Sequence, residues 1–417
     1  MNRTLGDQKE TSPVLPEDFF PLKIAIVSRR FWPYSGTTEF AVADLASQIK
    51  RRGHSVEILT VRWEKNWPLY FDYDEIPIRR INRSQSHPWR SFRYLRSLTR
   101  ELNQLDLDGI IVFGLDEEAW AVSRAFSGKI PFVIRIDNHF PGAKKGGPEL
   151  TPRQLFAVNS AQSLLTDSYE TQKNISEQPG VSNSQIKLAP EGILLDKIKQ
   201  RQQSLQSDAR VAISDAHPVL LIGSNQPLVV CGAPHEGDPG MLCLLDAWPK
   251  VIAQFPKAKL WILGDGAKGR DIWTNILEKH LVQSIVMPGS FDDTHEIFQA
   301  ADLYVHPLKS DESCGFLARA MAAGVGAVVT STEFTQTVIE NNVSGLMVHA
   351  DDPRALGDAI CLALGNPDLR ERLGEEGRMS AIKQFDIQNS VDDFLQPFKK
   401  QATLRALDSN STNEGNQ

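Results

Sequence analysis

At 417 residues the chain is longer than one hydrophobic core normally serves, so two domains of ordinary size are expected. Its 41% hydrophobic and 23% charged residues exclude a disordered chain, and a net charge of -7 excludes a protein that is basic throughout to hold nucleic acid. The four cysteines stand far apart with no Cys-x-x-Cys pair, and no run of about 20 apolar residues offers a membrane span, which points to free thiols and a cytoplasmic protein.

The polar, proline-containing stretch 1–21 reads as a loose tail, as does 401–417. Order begins with Lys23 to Val27, a short apolar run of buried-strand type. Thr38 to Arg52 follows as a helix, because Val42, Leu45 and Ile49 share one face, and Gly53 ends it. Strands are then expected at Ser55 to Val61 and Ile76 to Ile81, a helix from about Trp89 to Leu105, and strands at Gly109 to Phe113 and Phe132 to Ile136. Such alternation means a parallel sheet covered by helices. A Gln-, Ser- and Asp-rich stretch breaks the pattern from Lys199 to His217, and the linker is placed at 201–218.

A second series runs through strand Leu228 to Gly232, a helix over Gly240 to Phe255, strands Lys259 to Leu263, Ser284 to Met287 and Leu303 to Pro307, a helix near Phe316 to Ala323, and strand Ala327 to Thr330. The organisation is therefore α/β: one doubly wound domain over 22–200, another over 219–385, and a C-terminal helix over 386–400. A ligand should bind in the crevice between the strand C-termini. Neither first turn carries Gly-x-Gly-x-x-Gly, so Gly264-Asp265-Gly266 is a weak dinucleotide signal.

Other signals are local. Asp116-Glu117-Glu118 reads as a helix N-terminus, where carboxylates suit the dipole. Arg90, Arg93, Arg96 and Arg100 fall within about 120° of arc at about 100° per residue, beside Trp89, Phe92, Leu95 and Leu98. This basic amphipathic helix is either a solvated outer face lying on the sheet or a peripheral contact with an anionic membrane. The tryptophans form no evident box and are read as core or cleft lining.

The segments RRFWPYSGTTEFAVADLASQIKRRGHSVEILT (Arg29 to Thr60), GSFDDTHEIFQAADLYVHPLKSDESCGFLARAMAAGVGAVVT (Gly289 to Thr330) and NNVSGLMVHADDPRALGDAICLAL (Asn341 to Leu364) come in a telling order. With Asp167-Ser168 and Pro190-Glu191-Gly192 between them, the chain resembles glycosyltransferase family four over roughly residues 22 to 398. The resemblance implies the GT-B fold, two Rossmann-like domains facing a central cleft. It also implies transfer of a sugar from a nucleotide-diphosphate donor to a glycan or lipid-linked acceptor, usually with retention of configuration. Neither metal nor resident cofactor is expected.

Carried over position by position, the donor side falls on Gly36, Gly232, Lys309, Gly315 and Arg319. The polar groups for the chemistry fall on Asp137 or His139, after the strand ending at Ile136, and on Asp311 or Glu312, at the first glutamate of the family's Glu-x7-Glu pattern. The departures are specific. Thr37 replaces a glycine, Ala233 stands for the family's arginine, Asp238 and Pro239 lie near its lysine, and Arg319 replaces the second glutamate ahead of Ala320-Met321-Ala322-Ala323-Gly324. A carboxylate about 4 Å from a diphosphate repels it by several kcal/mol at an effective dielectric of about 20.

Arg319 has two readings. With Lys309 it supplies the missing cation of a rebuilt donor site. Alternatively it pairs with Asp311 or Glu312 as a structural ion pair, and the chain is a non-catalytic relative that binds a sugar, a nucleotide or a partner. A sugar-nucleotide epimerase of the same fold would need the clamp that is missing here.

Overall fold

The computed structural model describes residues 20–399 apart from 35, 83–89, 137–146, 182–185, 190–191, 199, 234, 236, 292–293 and 310–313. The tails expected to be loose, 1–21 and 401–417, lie outside the described residues except for Phe20 and Pro21.

The first domain alternates strand and helix: β1 (Lys23–Ser28), α1 (Thr37–Arg51), β2 (Ser55–Arg62), β3 (Tyr70–Tyr73), β4 (Ile76–Asn82), α2 (Arg90–Gln104), β5 (Gly109–Phe113), α3 (Glu117–Phe126), β6 (Phe132–Arg135), α4 (Pro152–Ser160), β7 (Ser163–Thr166), α5 (Tyr169–Ser176) and β8 (Ile186–Leu188), of which β3, α4, β7, α5 and β8 go beyond the elements the sequence marks. The strands order as β3-β4-β2-β1-β5-β6-β7-β8, all parallel except the β3–β4 hairpin. β1 lies at the centre, with Ile26 aligned to Ile58 of β2 and Ile111 of β5. A strand covered on both faces must be apolar at successive positions, and Ile24, Ala25, Ile26 and Val27 are all buried.

The second domain follows the same plan: α6 (Gln203–Ala216), β9 (Leu228–Gly232), α7 (Pro239–Gln254), β10 (Lys259–Leu263), α8 (Gly269–Glu278), β11 (Ile285–Gly289), α9 (His295–Ala300), β12 (Leu303–His306), α10 (Cys314–Ala322), β13 (Ala327–Thr330), α11 (Glu333–Val338), β14 (Leu346–Val348), α12 (Pro353–Gly365) and α13 (Pro367–Phe385). Its parallel sheet orders as β11-β10-β9-β12-β13-β14. Trp248 and Trp261 are fully buried there, and Cys231 and Cys361 are buried free thiols.

The stretch 201–218, placed as the linker, carries the helix α6, which packs against α9. Ile213 joins the second domain's core, and polar side chains complete the docking. Arg210 ion-pairs with Asp302 at 2.8 Å and donates to the carbonyls of Ala300, Gly223 and Ser224, while Gln206 reaches the Ala300 carbonyl at 3.1 Å. These groups satisfy carbonyls left without partners at the end of a helix.

A last helix over 387–399 returns to the first domain, where Val391, Phe394, Leu395 and Phe398 join the core of Ile24, Ile26 and Phe113. Phe394 stacks on Phe113 with centroids 6.3 Å apart. Gly109 makes room for it, since a Cβ there would stand 2.4 Å from Phe398. The two crossings between domains run side by side, Ile193 N–H donating to Phe385 O at 2.7 Å and Ile387 N–H to Ile193 O at 3.2 Å.

Burial beside charge also sets a pH response. Leu22 N–H donates to Nδ1 of His54 at 3.1 Å. Burial, with Lys399 and Arg52 nearby, lowers the His54 pKa to about 4. An unfolded histidine takes up its proton near pH 6.5 and this folded one only near 4, so the stability it contributes is fully present above about pH 6.5 and is lost as pH falls toward 4. Buried His306, lowered to about 4, has the same sign. Asparagine at position 54 can accept the same N–H without titrating. His54→Asn should therefore flatten the acid loss of stability by about 1–3 kcal/mol, read from thermal melts between pH 7 and 4.

Candidate active site in the interdomain cleft

β9 ends at Gly232 where the strand order of the second sheet reverses, the usual ligand position in a doubly wound sheet. A Cβ on Gly232 would lie 2.5 Å from Phe316, so this glycine admits α10 over the strand end. Tyr304 Oη donates to its carbonyl at 3.1 Å. Ala233, where an arginine is expected, is wholly buried. Gly264, at φ +118°, lays its backbone on the Ala233 carbonyl, where a Cβ would stand 2.0 Å away. His235 N–H then bonds Asp265 O, and Lys268 N–H bonds His235 O. The Gly264-Asp265-Gly266 turn thus braces the loop after β9.

Asp238 is more than a misplaced charge. Its Oδ1 accepts the N–H of Gly240 at 2.7 Å, capping α7, and the N–H of Lys309 at 3.1 Å. The N-terminus of a 16-residue helix attracts an anion, and here the chain supplies its own carboxylate. Lys309 directs Nζ to Asp351 instead, in an ion pair. Gly315 is buried in the first turn of α10.

Arg319 has a partner that neither sequence reading named. Its Nη2 pairs with Asp44 Oδ2 of α1 at 2.5 Å, and its guanidinium lies 4.7 Å from the centroid of Phe40. Phe40 in turn meets Phe316 edge-on at 5.9 Å. The position of the family's second glutamate therefore bridges the two domains. Burial pushes the Asp44 carboxyl up, while the Arg319 guanidinium and a Leu194 backbone hydrogen bond pull it down. Nothing in the sequence marks a pair formed by residues 275 apart, except that Asp44 follows Phe40 by one helical turn.

On the first domain, Gly36 is the N-cap of α1 in extended conformation. Thr37, in the place of a family glycine, is the first residue of the helix. The acidic triplet does open α3, and Glu118 also accepts Nε and Nη2 of Arg29 at 3.0 and 2.8 Å. Asp137, His139, Asp311 and Glu312 lie outside the described residues. Asp167, directly after β7, is held by Arg135 Nη2 at 3.0 Å. Among the described residues no group of three or more His, Cys, Asp and Glu side chains is placed to hold a metal.

Residues 38–197 match the family model described as Glycosyltransferase Family 4, and residues 226–366 that described as Glycosyl transferases group 1. The chain belongs to the family-four glycosyltransferases. It is 30% identical to the phosphatidyl-myo-inositol mannosyltransferase of Mycobacterium tuberculosis over 189 residues, 44% of this chain and 48% of that protein. The chain thus spans about half the length of the first curated relatives it matches. The N-acetyl-alpha-D-glucosaminyl L-malate synthase of Bacillus anthracis is 21% identical over 389 residues, 89% of this chain and 95% of that one. The structure of Anabaena Alr3699/HepE in complex with UDP-glucose superposes with a TM-score of 0.69 at 15% identity, covering 91% of this chain and all of that one. The fold of this family-four chain is GT-B, two parallel-sheet domains facing a cleft.

Proposed function

We propose that the protein transfers a sugar from a nucleotide-diphosphate donor to a glycan or lipid-linked acceptor, with retention, through a donor side that lacks the family's pair of phosphate cations. Family membership supports the transfer. One observation carries the altered donor side: the charges that face the cleft are committed to protein partners, Asp238 to the α7 N-terminus, Lys309 to Asp351 and Arg319 to Asp44. A diphosphate must then be held by backbone N–H groups and by whichever of Lys309 and Arg319 it draws away. In this reading the donor side includes Gly36, Gly232 and Gly315, with Asp137 or His139 and Asp311 or Glu312 as the groups that orient the reacting sugar.

Calorimetric titration with UDP-, GDP- and ADP-sugars checks this reading. At least one donor should bind, and Arg319→Glu should weaken it at least tenfold. Binding by none would sink the transfer reading. The occupied α7 N-terminus favours one alternative in that case, a non-catalytic relative that binds a sugar or a partner protein. The same reading includes peripheral contact with an anionic membrane. Leu95, Leu98 and Leu102 of α2 are packed into the core, while Arg93, Arg96 and Arg100 are exposed, so the exposed face of α2 among the described residues would act electrostatically. Titrations repeated with anionic vesicles should show co-flotation that added salt abolishes.

A further inference from the structure

Three of the eight tryptophans, Trp32, Trp63 and Trp67, converge at the C-terminal ends of β1 and β2. Tyr34 stands edge-on to Trp63, with centroids 6.4 Å apart at 90°, and to Trp67, 5.7 Å apart at 67°. Trp63 is fixed by its indole N–H, which donates to the Arg29 carbonyl at 3.2 Å. Beneath them Arg80 is only 2% exposed, with its guanidinium 4.1 Å from the Phe71 centroid and 4.8 Å from that of Trp67. Its Nη1 donates to Pro68 O and its Nη2 to Trp32 O. A guanidinium buried this deeply is tolerable only when bonded on several sides, and those bonds hold the loop 63–69 against the loop 29–34.

The rings are therefore rigid, yet Tyr34, Trp63 and Trp67 all remain partly exposed. The rim is polar. Arg30 is half-exposed, lies 4.5 Å over the Tyr34 ring, and stands 3.8 Å from Glu39 of α1. Rigid aromatic faces with a few charged donors and acceptors at the edge suit a ligand with an apolar C–H face and a hydroxyl periphery, which is the chemistry of a pyranose ring. An acyl chain would use the rings and leave the charged rim without a role. Gly36, the N-cap of α1 on the candidate donor side, follows Tyr34 by two residues.

We infer that Tyr34, Trp63 and Trp67 form a stacking subsite for a saccharide ring of the acceptor, so that the acceptor is an oligosaccharide or longer glycan and not a small alcohol. This deepens the transfer reading above, which supplies the reason for an acceptor, but the binding itself needs no donor. Arg80 is a positioning residue beneath the platform.

The test is saturation-transfer NMR and tryptophan fluorescence on the full chain, without nucleotide, using linear gluco-, manno- and galacto-configured di- and trisaccharides. At least one trisaccharide should bind and shift the emission. Tyr34→Ala should weaken it about tenfold, whereas Tyr34→Phe, which keeps the ring, should stay within about threefold. Unchanged melting temperature certifies both variants, and Trp63→Leu, with the same tenfold loss expected, serves if Tyr34→Ala fails to fold. No saccharide binding, or equal binding by the alanine variant, overturns the subsite even if donors bind and transfer proceeds. Saccharide binding with no donor binding leaves the subsite standing and removes the transfer reading.

Discussion

Asp44→Ala is expected to destabilise the protein by about 3–5 kcal/mol, because it strands the Arg319 guanidinium between the domains with no carboxylate to answer it. Arginine keeps its charge at any working pH, so the site cannot relax by losing a proton. The opposite deletion is gentler. Arg319→Leu leaves a buried carboxyl that burial already pushes toward the protonated form, and a neutral Asp44 can remain at about 1–3 kcal/mol. Replacing both by leucine should recover most of the loss, since apolar pairs of similar volume often match buried ion pairs. Urea melts of the four proteins measure the cycle. Equal losses from the two single variants would show that the pair carries no buried charge and that Arg319 is solvated. The alanine variant should also loosen α1 from α10, visible as faster proteolysis between the domains.

The second large effect is Gly264→Ala. The position combines φ +118°, where a side chain is strained, with the Ala233 carbonyl 2.0 Å from the new methyl. Strain of about 1–3 kcal/mol and overpacking of about 1–3 kcal/mol fall together on one residue. A built-in control separates them. Gly289 has φ +91° with nothing within 4 Å of the place a Cβ would take, so Gly289→Ala should cost only the strain. The difference between the two melts is the steric contribution. If the pair lose the same amount, the loop after β9 is free to move, and its closure over Ala233 does not shape the donor side.

The sequence made the central strands legible because β1, β5 and β9 are buried on both faces along their middles, which must therefore be apolar. β3 was missed: YFDY is half-exposed at a sheet edge, and its pairing with β4 depends on a turn, Asp74-Glu75, with φ of 52° and 59°. The α6 helix was hidden because it docks largely through Arg210 and Gln206, with Ile213 as its one fully buried apolar anchor, and pattern reading weighs apolar periodicity. At the candidate site the substitutions themselves were plain, and what the sequence could not supply was who answers them. Asp44 for Arg319, Asp351 for Lys309 and the α7 amides for Asp238 are tertiary facts. The Tyr34, Trp63 and Trp67 cluster was invisible for the same reason, since three rings on two loops have no common period.

The returning helix over 387–399 bears on how the chain is made. Phe394 and Phe398 fill the first domain beneath Phe113 and Gly109, so that domain's core stays open while the ribosome works through the whole second domain. At about 5–20 residues per second the gap lasts roughly ten to forty seconds. During that interval the nascent first half shows a greasy slot where the last helix belongs, a natural target for a chaperone.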